Sequence, residues 1–378
     1  MKHVILFIDN LGSGGAQRQL VNMGILLKAR GYRVTMLVYG DVPFYRHLLD
    51  ENGIPVTLIQ AKGYASRMVR VRRYLRRSDA DAVIAFLETP GFIACFSKIG
   101  GAKWKLITNE LSAKASTFSS KKNRIYNRFE RYADAKVCNS ENAMGMWLSH
   151  YPQYKDKYRV IYNPVIMPPS TEATPVPERG DGKLRLTVAA SYQELKNPLR
   201  VVEAVSQLSE EHKARLDLQW YGRAEATTGN TEIYDQAVAM VQAWGLRGCV
   251  TLNHETKDIY RHMAESDAVG LFSTVEGLPN AICEGMMLGK PIVMSRVSDH
   301  TVLTEGNGLT CDPTSVDSIR EALEAFLNTT VEERMAMGQR SKEKAARLFD
   351  KDAVIDQWVT LLESLTENSA AEKGGGYE

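Results

Sequence analysis

Two glutamates stand eight residues apart in the run Glu276-Gly-Leu-Pro-Asn-Ala-Ile-Cys-Glu284, which continues as Gly285-Met-Met-Leu-Gly-Lys-Pro-Ile-Val293. Just before it, Ala268-Val-Gly-Leu-Phe-Ser273 is short and mostly apolar, the length of a buried strand. After the turn, Pro279 suits the first position of a helix, where its missing N–H is no loss. Glu276 then lies in the loop and Glu284 in the second helical turn, both near one opening. The first N–H groups of such a helix lack partners within it and attract anions. Carboxylates accept hydrogen bonds from sugar hydroxyls. Acid groups beside an anion site suit a ligand carrying both hydroxyls and phosphate. A nucleotide sugar is such a ligand.

A second phosphate-friendly turn is Leu11-Gly-Ser-Gly-Gly-Ala-Gln-Arg18, between the apolar run Val4–Ile8 and a helical pattern from about Ala16 to Ala29. Gly14 and Gly15 let backbone N–H groups approach a phosphate at the positive end of that helix. A tight turn that simply needs small residues is the alternative. The dinucleotide fingerprint G-x-G-x-x-G is excluded, because Gln17 stands where its last glycine belongs. In the second half, Lys196 lies in Ala189-Ala-Ser-Tyr-Gln-Glu-Leu-Lys-Asn-Pro198, between a strand-like run and a helix. Tyr221-Gly-Arg223 and Asn253-His254-Glu255 each follow a further strand-like run.

The whole stretch from Glu276 to Val293 resembles the E-x7-E signature of retaining glycosyltransferases, and most resembles glycosyltransferase family 4, the glycosyl transferases group 1. The resemblance implies an α/β chain of the GT-B fold, two Rossmann-like domains whose parallel sheets face each other across a cleft. It implies that Glu284 accepts hydrogen bonds from the ribose and that Glu276 works beside the donor sugar. Backbone groups of Gly277, Leu278, Pro279, Asn280 and Ala281 would bind sugar hydroxyls and phosphate. The family carries Gly-Arg and then Lys on the diphosphate; here Ala190 and Ser191 replace the first two. Lys196 then takes more of the task, helped by Ser191 or Arg223, and stabilises charge developing on the leaving group. Gly222 would allow close approach near the nucleoside, and His254 would lie beside the base. Thr108-Asn-Glu110 falls where many relatives have a histidine, so Asn109 or Glu110 would hold acceptor or donor hydroxyls. Ser140 and Glu141, in Asn139-Ser-Glu141, read as a helix cap. The resemblance requires no metal and no other cofactor, the nucleotide sugar being a substrate.

These residues need two scaffolds. The 378-residue chain is long enough for two domains with separate cores. Apolar runs alternate with helical patterns from Val4 to Ile161 and again from Leu184 to Val293, the rhythm of covered parallel sheets. The resulting division is 1–165, a Pro-rich linker 166–183, and 184–350. A helix at 353–366 is expected to return to the first domain, followed by a disordered tail at 367–378.

At 44% hydrophobic and 24% charged residues, with a formal charge of +2, the chain is globular and lacks the basic excess of a nucleic-acid binder. Five scattered cysteines without a C-x-x-C pair read as buried hydrophobes in a reducing compartment. Five apolar residues between His3 and Asp9 are too few for a signal peptide. A cytoplasmic location is the expectation. Basic stretches at 67–77 and 121–131, interleaved with apolar residues, fit either an anionic membrane surface or solvated helix faces.

The expected activity is transfer of a sugar, with retention, from a nucleotide diphosphate sugar, UDP-linked, to a glycan or lipid-linked saccharide in surface polysaccharide or glycoconjugate assembly. A nucleotide-sugar 2-epimerase of the same fold and a non-catalytic scaffold subunit are the alternatives.

Overall fold

A computed structural model describes residues 1–111, 116–167, 180, 182–225 and 229–374, with only the backbone described for 116 and 368–374. The chain divides into two compact units, one made of Met1–Pro164 with Lys351–Glu378 and the other of Val165–Asp350. Most of the expected linker, 168–179 and 181, lies outside the described residues.

The first unit runs β1 (His3–Phe7), α1 (Gly15–Ala29), β2 (Arg33–Val38), α2 (Arg46–Glu51), β3 (Val56–Leu58), α3 (Tyr64–Arg77), β4 (Ala82–Phe86) and α4 (Glu88–Lys98). It continues with β5 (Lys105–Glu110), α5 (Ser116–Ser119), α6 (Lys121–Phe129), β6 (Ala135–Cys138), α7 (Glu141–His150) and β7 (Tyr158–Val160). The second contains β8 (Leu184–Ala189), α8 (Pro198–Ser206), α9 (Glu210–Arg215), β9 (Leu216–Tyr221), α10 (Glu232–Ala243), β10 (Val250–Asn253) and α11 (Ile259–Ala264). After these come β11 (Ala268–Leu271), α12 (Asn280–Met287), β12 (Ile292–Ser295), α13 (His300–Thr304), β13 (Gly308–Cys311), α14 (Val316–Leu327) and α15 (Val331–Phe349). The last helix, α16 (Lys351–Gly374), belongs to the first unit.

Both sheets are wholly parallel, in the orders β3-β2-β1-β4-β5-β6-β7 and β10-β9-β8-β11-β12-β13. Every residue of β1 and β4 is buried, as a sheet covered on both faces demands. In each unit the order reverses beside the first strand, between β1 and β4 and between β8 and β11. Loops leaving the two strands there diverge, opening a crevice at the carboxyl edge.

Val354, Ile355, Trp358, Leu361 and Leu362 of α16 join the first unit's core with Leu20, Val21 and Leu27 of α1. Two salt bridges, from Arg30 to Asp352 and Asp356, lie at its edge. The tail expected to be disordered from 367 instead continues this helix to Gly374. Residues 367–373 contain no proline and are rich in Ala, Glu and Lys, which extend an already nucleated helix readily. Residues 375–378 lie outside the described residues.

Candidate active site

In the second unit, every site residue expected from the sequence follows the carboxyl end of a strand. Lys196 closes a short 3-10 turn, Glu194–Lys196, after β8, and Glu276 lies in the loop after β11. They flank the reversal of strand order, and they meet: Lys196 Nζ donates to Glu276 Oε1. Both side chains are mostly buried, 21% and 12% exposed. The loops are tied by main chain as well, Thr274 N–H donating to the Leu195 carbonyl at 2.8 Å. Asn197, next to Lys196, has φ +68° and its amide donates to the Pro313 carbonyl at 2.8 Å, turning the chain sharply into α8.

Glu276 is held by a further brace that sequence reading missed. Ser273 Oγ donates to Glu276 Oε1 at 2.6 Å, and Ser295 Oγ donates to the Ser273 carbonyl at 2.5 Å. Ser298, in a left-handed conformation with φ +53°, donates its hydroxyl to the Gly277 carbonyl. These serines come from the ends of β11 and β12 and the loop beyond, so no local pattern announces the brace.

Helix α12 begins at Asn280, with Pro279 as the capping residue rather than the first helical one. Pro279 has ψ 88°, still extended, so the chain enters the helix one residue later than the sequence reading placed it. Leu278 and Pro279 are buried and Gly277, Asn280 and Ala281 half-buried, the last two in the helix's first turn. Glu284 sits in the second turn and is 8% exposed. Helix α12 lies close on β11 because Gly285 has no side chain: a Cβ there would stand 2.8 Å from Val269. Burial pushes the neighbouring Cys283 thiol well above its usual range, helped by the Glu284 charge, and makes it inert.

The loops after β8 and β9 are zipped together. Ala190 N–H donates to the Tyr221 carbonyl and Tyr192 N–H to that of Arg223, both at 3.0 Å. A Cβ on Gly222 would fall 1.9 Å from the Ala190 carbonyl oxygen. Gly222 therefore serves the packing of the two loops. Ser191 is half-buried in the first loop, and Arg223 is exposed, its Nε donating to the Glu225 carbonyl at 3.2 Å. His254 is exposed beside Tyr234, ring centres 5.3 Å apart. Beneath them, buried Tyr192 donates its hydroxyl to the Asn253 carbonyl at 2.9 Å.

In the first unit, Gly14 caps α1 and Gly15 begins it, both exposed. Asp9 Oδ1 accepts from the Asn10 N–H at 2.7 Å and from Gln17 Nε2 at 3.1 Å, fixing the loop. Asn109 and Glu110 end β5, each 7% exposed, and line a small pocket with Glu88, Phe92, Tyr126 and Asn127. Asn109 Oδ1 is buried without a hydrogen-bond partner. Glu110 Oε2 accepts from Trp147 Nε1 at 3.1 Å, and Lys136 Nζ lies 3.9 Å from the centre of the Trp147 ring. Glu130 accepts from Lys136 at 3.0 Å and from Thr108 Oγ1 at 2.6 Å. Burial opposes the Lys136 charge, but Glu130 and Glu110 outweigh it and hold the ammonium above the ordinary lysine range. Ser140 caps α7, accepting from the Ala143 N–H at 3.1 Å, and Glu141 occupies the first helical position.

The basic stretch of α3 is partly committed inside the unit. Arg72 donates to the carbonyls of Phe96 and Ile99, and Arg76 to that of Ile99, satisfying the end of α4. Arg67 stacks on Tyr39 at 4.2 Å, and Arg70 donates to the Gln60 carbonyl at 3.0 Å. On α6, Lys121, Lys122, Arg124, Ile125 and Arg128 are exposed. Tyr64 and Tyr126 join the two helices through their hydroxyls at 2.7 Å.

The expectation that the sequence holds no Asp-x-Asp triplet is corrected by Asp79-Ala-Asp81 and Asp350-Lys-Asp352. Asp79 pairs with His3 and Arg33, and Asp352 with Arg30, so these carboxylates serve structure. Among the described residues no group of three or more His, Cys, Asp or Glu is placed to hold a metal ion, and no helix is long and apolar enough to cross a membrane.

Two units, each a wholly parallel Rossmann-like sheet, are the architecture of the GT-B glycosyltransferases. The chain belongs to this class: residues 13–167 match the Glycosyltransferase Family 4 model and residues 170–344 match Glycosyl transferases group 1. It is an enzyme of the GT-B type. It is 22% identical over 383 residues to an uncharacterized glycosyltransferase of Haemophilus influenzae, covering 96% of this chain and 100% of that one. It is 20% identical over 372 residues to the N-acetylgalactosamine-N,N'-diacetylbacillosaminyl-diphospho-undecaprenol 4-alpha-N-acetylgalactosaminyltransferase of Campylobacter jejuni, with 93% and 96% covered. Anabaena HepE in complex with UDP shares the fold at a TM-score of 0.82 and 18% identity, over 96% of this chain and 100% of that one.

Proposed function

We propose that the enzyme transfers a hexose or N-acetylhexosamine from a UDP-sugar, with retention, to a lipid-linked saccharide in surface glycan assembly. The observation that carries the reading is the Lys196–Glu276 pair at the switch point, with Glu284 on the next helix. An ammonium at this place can leave its carboxylate for the donor diphosphate and stabilise the charge that grows there as the sugar departs. Glu276, still held by Ser273, can then accept a sugar hydroxyl, and Glu284 the ribose hydroxyls. The departing phosphate oxygen takes the proton of the attacking acceptor hydroxyl on the same face, and the new glycosidic bond keeps the donor's configuration. No metal enters this scheme. The Campylobacter relative's name, with its undecaprenol-linked acceptor, and the UDP complex of HepE support the substrate classes.

Asn109 and Glu110 hold hydroxyl or amide donors of the acceptor or the donor sugar. Lys121, Lys122, Arg124 and Arg128, with Ile125 and Tyr64, suit peripheral contact with anionic lipid on the cytoplasmic face. The test is to incubate the protein with UDP-glucose, UDP-N-acetylglucosamine or UDP-N-acetylgalactosamine and with diphosphoundecaprenol-linked N-acetylhexosamine saccharides. UDP should be released only when an acceptor is added, and the product linkage should keep the donor's anomeric form by NMR. Release of UDP without any acceptor, together with formation of the 2-epimer, points to the epimerase instead.

A further inference from the structure

Apart from Glu110, the buried cluster at the end of β5 has no part in the scheme so far. It contains two carboxylates, Glu110 and Glu130, one ammonium, Lys136, and the Trp147 indole, from β5, the 3-10 turn Glu130–Tyr132, β6 and α7. Burying an ion pair is expensive, and an apolar pair of the same volume commonly serves stability equally well or better. Stability is therefore a weak account of the cluster. Its geometry has a direction. Thr108 holds Glu130, and Glu130 anchors Lys136; Lys136 faces the Trp147 ring; Trp147 Nε1 reaches the Glu110 carboxylate at the pocket wall.

Other groups around Glu110 are Cys138 opposite it on β6, Glu141 at the start of α7, and Glu88 and Tyr126 across the pocket. Carboxylates outnumber ammoniums there, and Asn109 Oδ1 adds an unpartnered acceptor. A pocket that sets this unpartnered oxygen beside the Glu110 carboxylate takes a group that donates: a sugar hydroxyl or the N–H of an N-acetyl group.

We propose that Trp147 and Lys136 are positioning residues that aim the Glu110 carboxylate at a hydroxyl or N-acetyl N–H of the acceptor saccharide. This rests on the acceptor-side reading of Glu110 given above. Trp147 and Lys136 line the same pocket, so the proposal requires their effect on the acceptor to pass through Glu110 and not through direct contact.

A double-mutant cycle reads that dependence. Steady-state kinetics would use UDP-N-acetylgalactosamine or UDP-glucose with a diphosphoundecaprenol-linked N-acetylhexosamine saccharide. Trp147→Phe, which keeps the ring and removes the donor, should lower kcat/KM for the acceptor about tenfold while leaving donor KM within about twofold. In a Glu110→Gln background the same change should cost less than about twofold. Lys136→Met should behave like Trp147→Phe, and Lys136→Arg should recover most of the loss. Equal losses in both backgrounds, or lowered thermal stability with acceptor kinetics intact, overturn the positioning role while leaving the acceptor-side reading standing. A Glu110→Gln enzyme with wild-type acceptor kinetics overturns the acceptor-side reading, and this inference with it. No turnover with any donor and acceptor sinks both along with the proposed function.

Discussion

Lys196 and Glu276 are 80 residues apart in sequence, yet the ammonium of one donates directly to the carboxylate of the other. Each follows one of the two strands at which the second sheet reverses its order. The pair therefore marks the switch point of the second sheet, where loops leaving adjacent strands part.

If Lys196 leaves Glu276 for the donor diphosphate, Lys196→Ala should reduce kcat by roughly 10²-fold or more, the size typical of losing one preorganised charge at a transition state. Lys196→Arg should keep part of the rate. Initial rates at saturating donor check this, and an alanine variant within about twofold of wild type contradicts it.

Glu276→Gln keeps the shape and most of the packing but removes the charge that accepts from Ser273 and Lys196. The expected outcome is a fall in kcat of about 10²-fold, with the donor dissociation constant changed much less. Titration calorimetry with the UDP-sugar, set beside turnover, separates the two quantities. A loss confined to donor affinity would make Glu276 a binding residue alone.

Two glycines should be intolerant of a methyl group. Gly285→Ala drives a Cβ to 2.8 Å from Val269 and should destabilise the second unit by about 1–3 kcal/mol in urea unfolding, the usual range for overpacking. Gly222→Ala meets backbone, at 1.9 Å, which cannot swing aside. It should be the more damaging of the two.

Burial pushes the Cys138 and Cys311 thiols up to about 12 from the model-compound value of 9.0. Their neutral forms are favoured in the native state, so this contribution is full below pH 9 and is lost as pH rises toward 12. Unfolding free energy should therefore decline from about pH 9 upward. Replacing Cys138 by Val should flatten part of that slope in denaturant titrations. All five thiols, buried and free, should stay unreactive toward a thiol reagent until the protein unfolds.

The proposed scheme gives the diphosphate an ammonium and helix N–H groups in place of a divalent cation. Turnover should persist in excess EDTA to within about twofold, and added magnesium should not raise it further. An EDTA-sensitive rate restored by magnesium or manganese would remove Lys196 as the chief counter-charge.

Much of the scaffold was legible because buried parallel strands are uninterrupted apolar runs, as in Val4–Ile8 and Ala82–Phe86. The site was legible where loop chemistry is local: Glu276, Glu284 and Lys196 lie just beyond such runs. Helix α4 is hard to read in the sequence because Pro90 and Gly91 look like a breaker, although they occupy its first turn, where proline is tolerated. Strand β13, Gly308–Cys311, was too short and too polar to show a period. The serine brace and the Trp147–Glu110 contact join distant residues, and no spacing in one chain segment encodes them. Arg72 and Arg76 looked like surface charge; four residues apart on one helix face, they cap a neighbouring helix instead.

Because α16 supplies Trp358 and four aliphatic neighbours to the first unit's interior, that unit is not a contiguous piece of the gene. During synthesis its amino-terminal sheet waits, with an uncovered flank, while the whole second unit emerges from the ribosome. A clipped product ending near residue 350 would then expose an oily groove on the half of the enzyme most distant in sequence from the cut, and its fate is aggregation rather than partial activity.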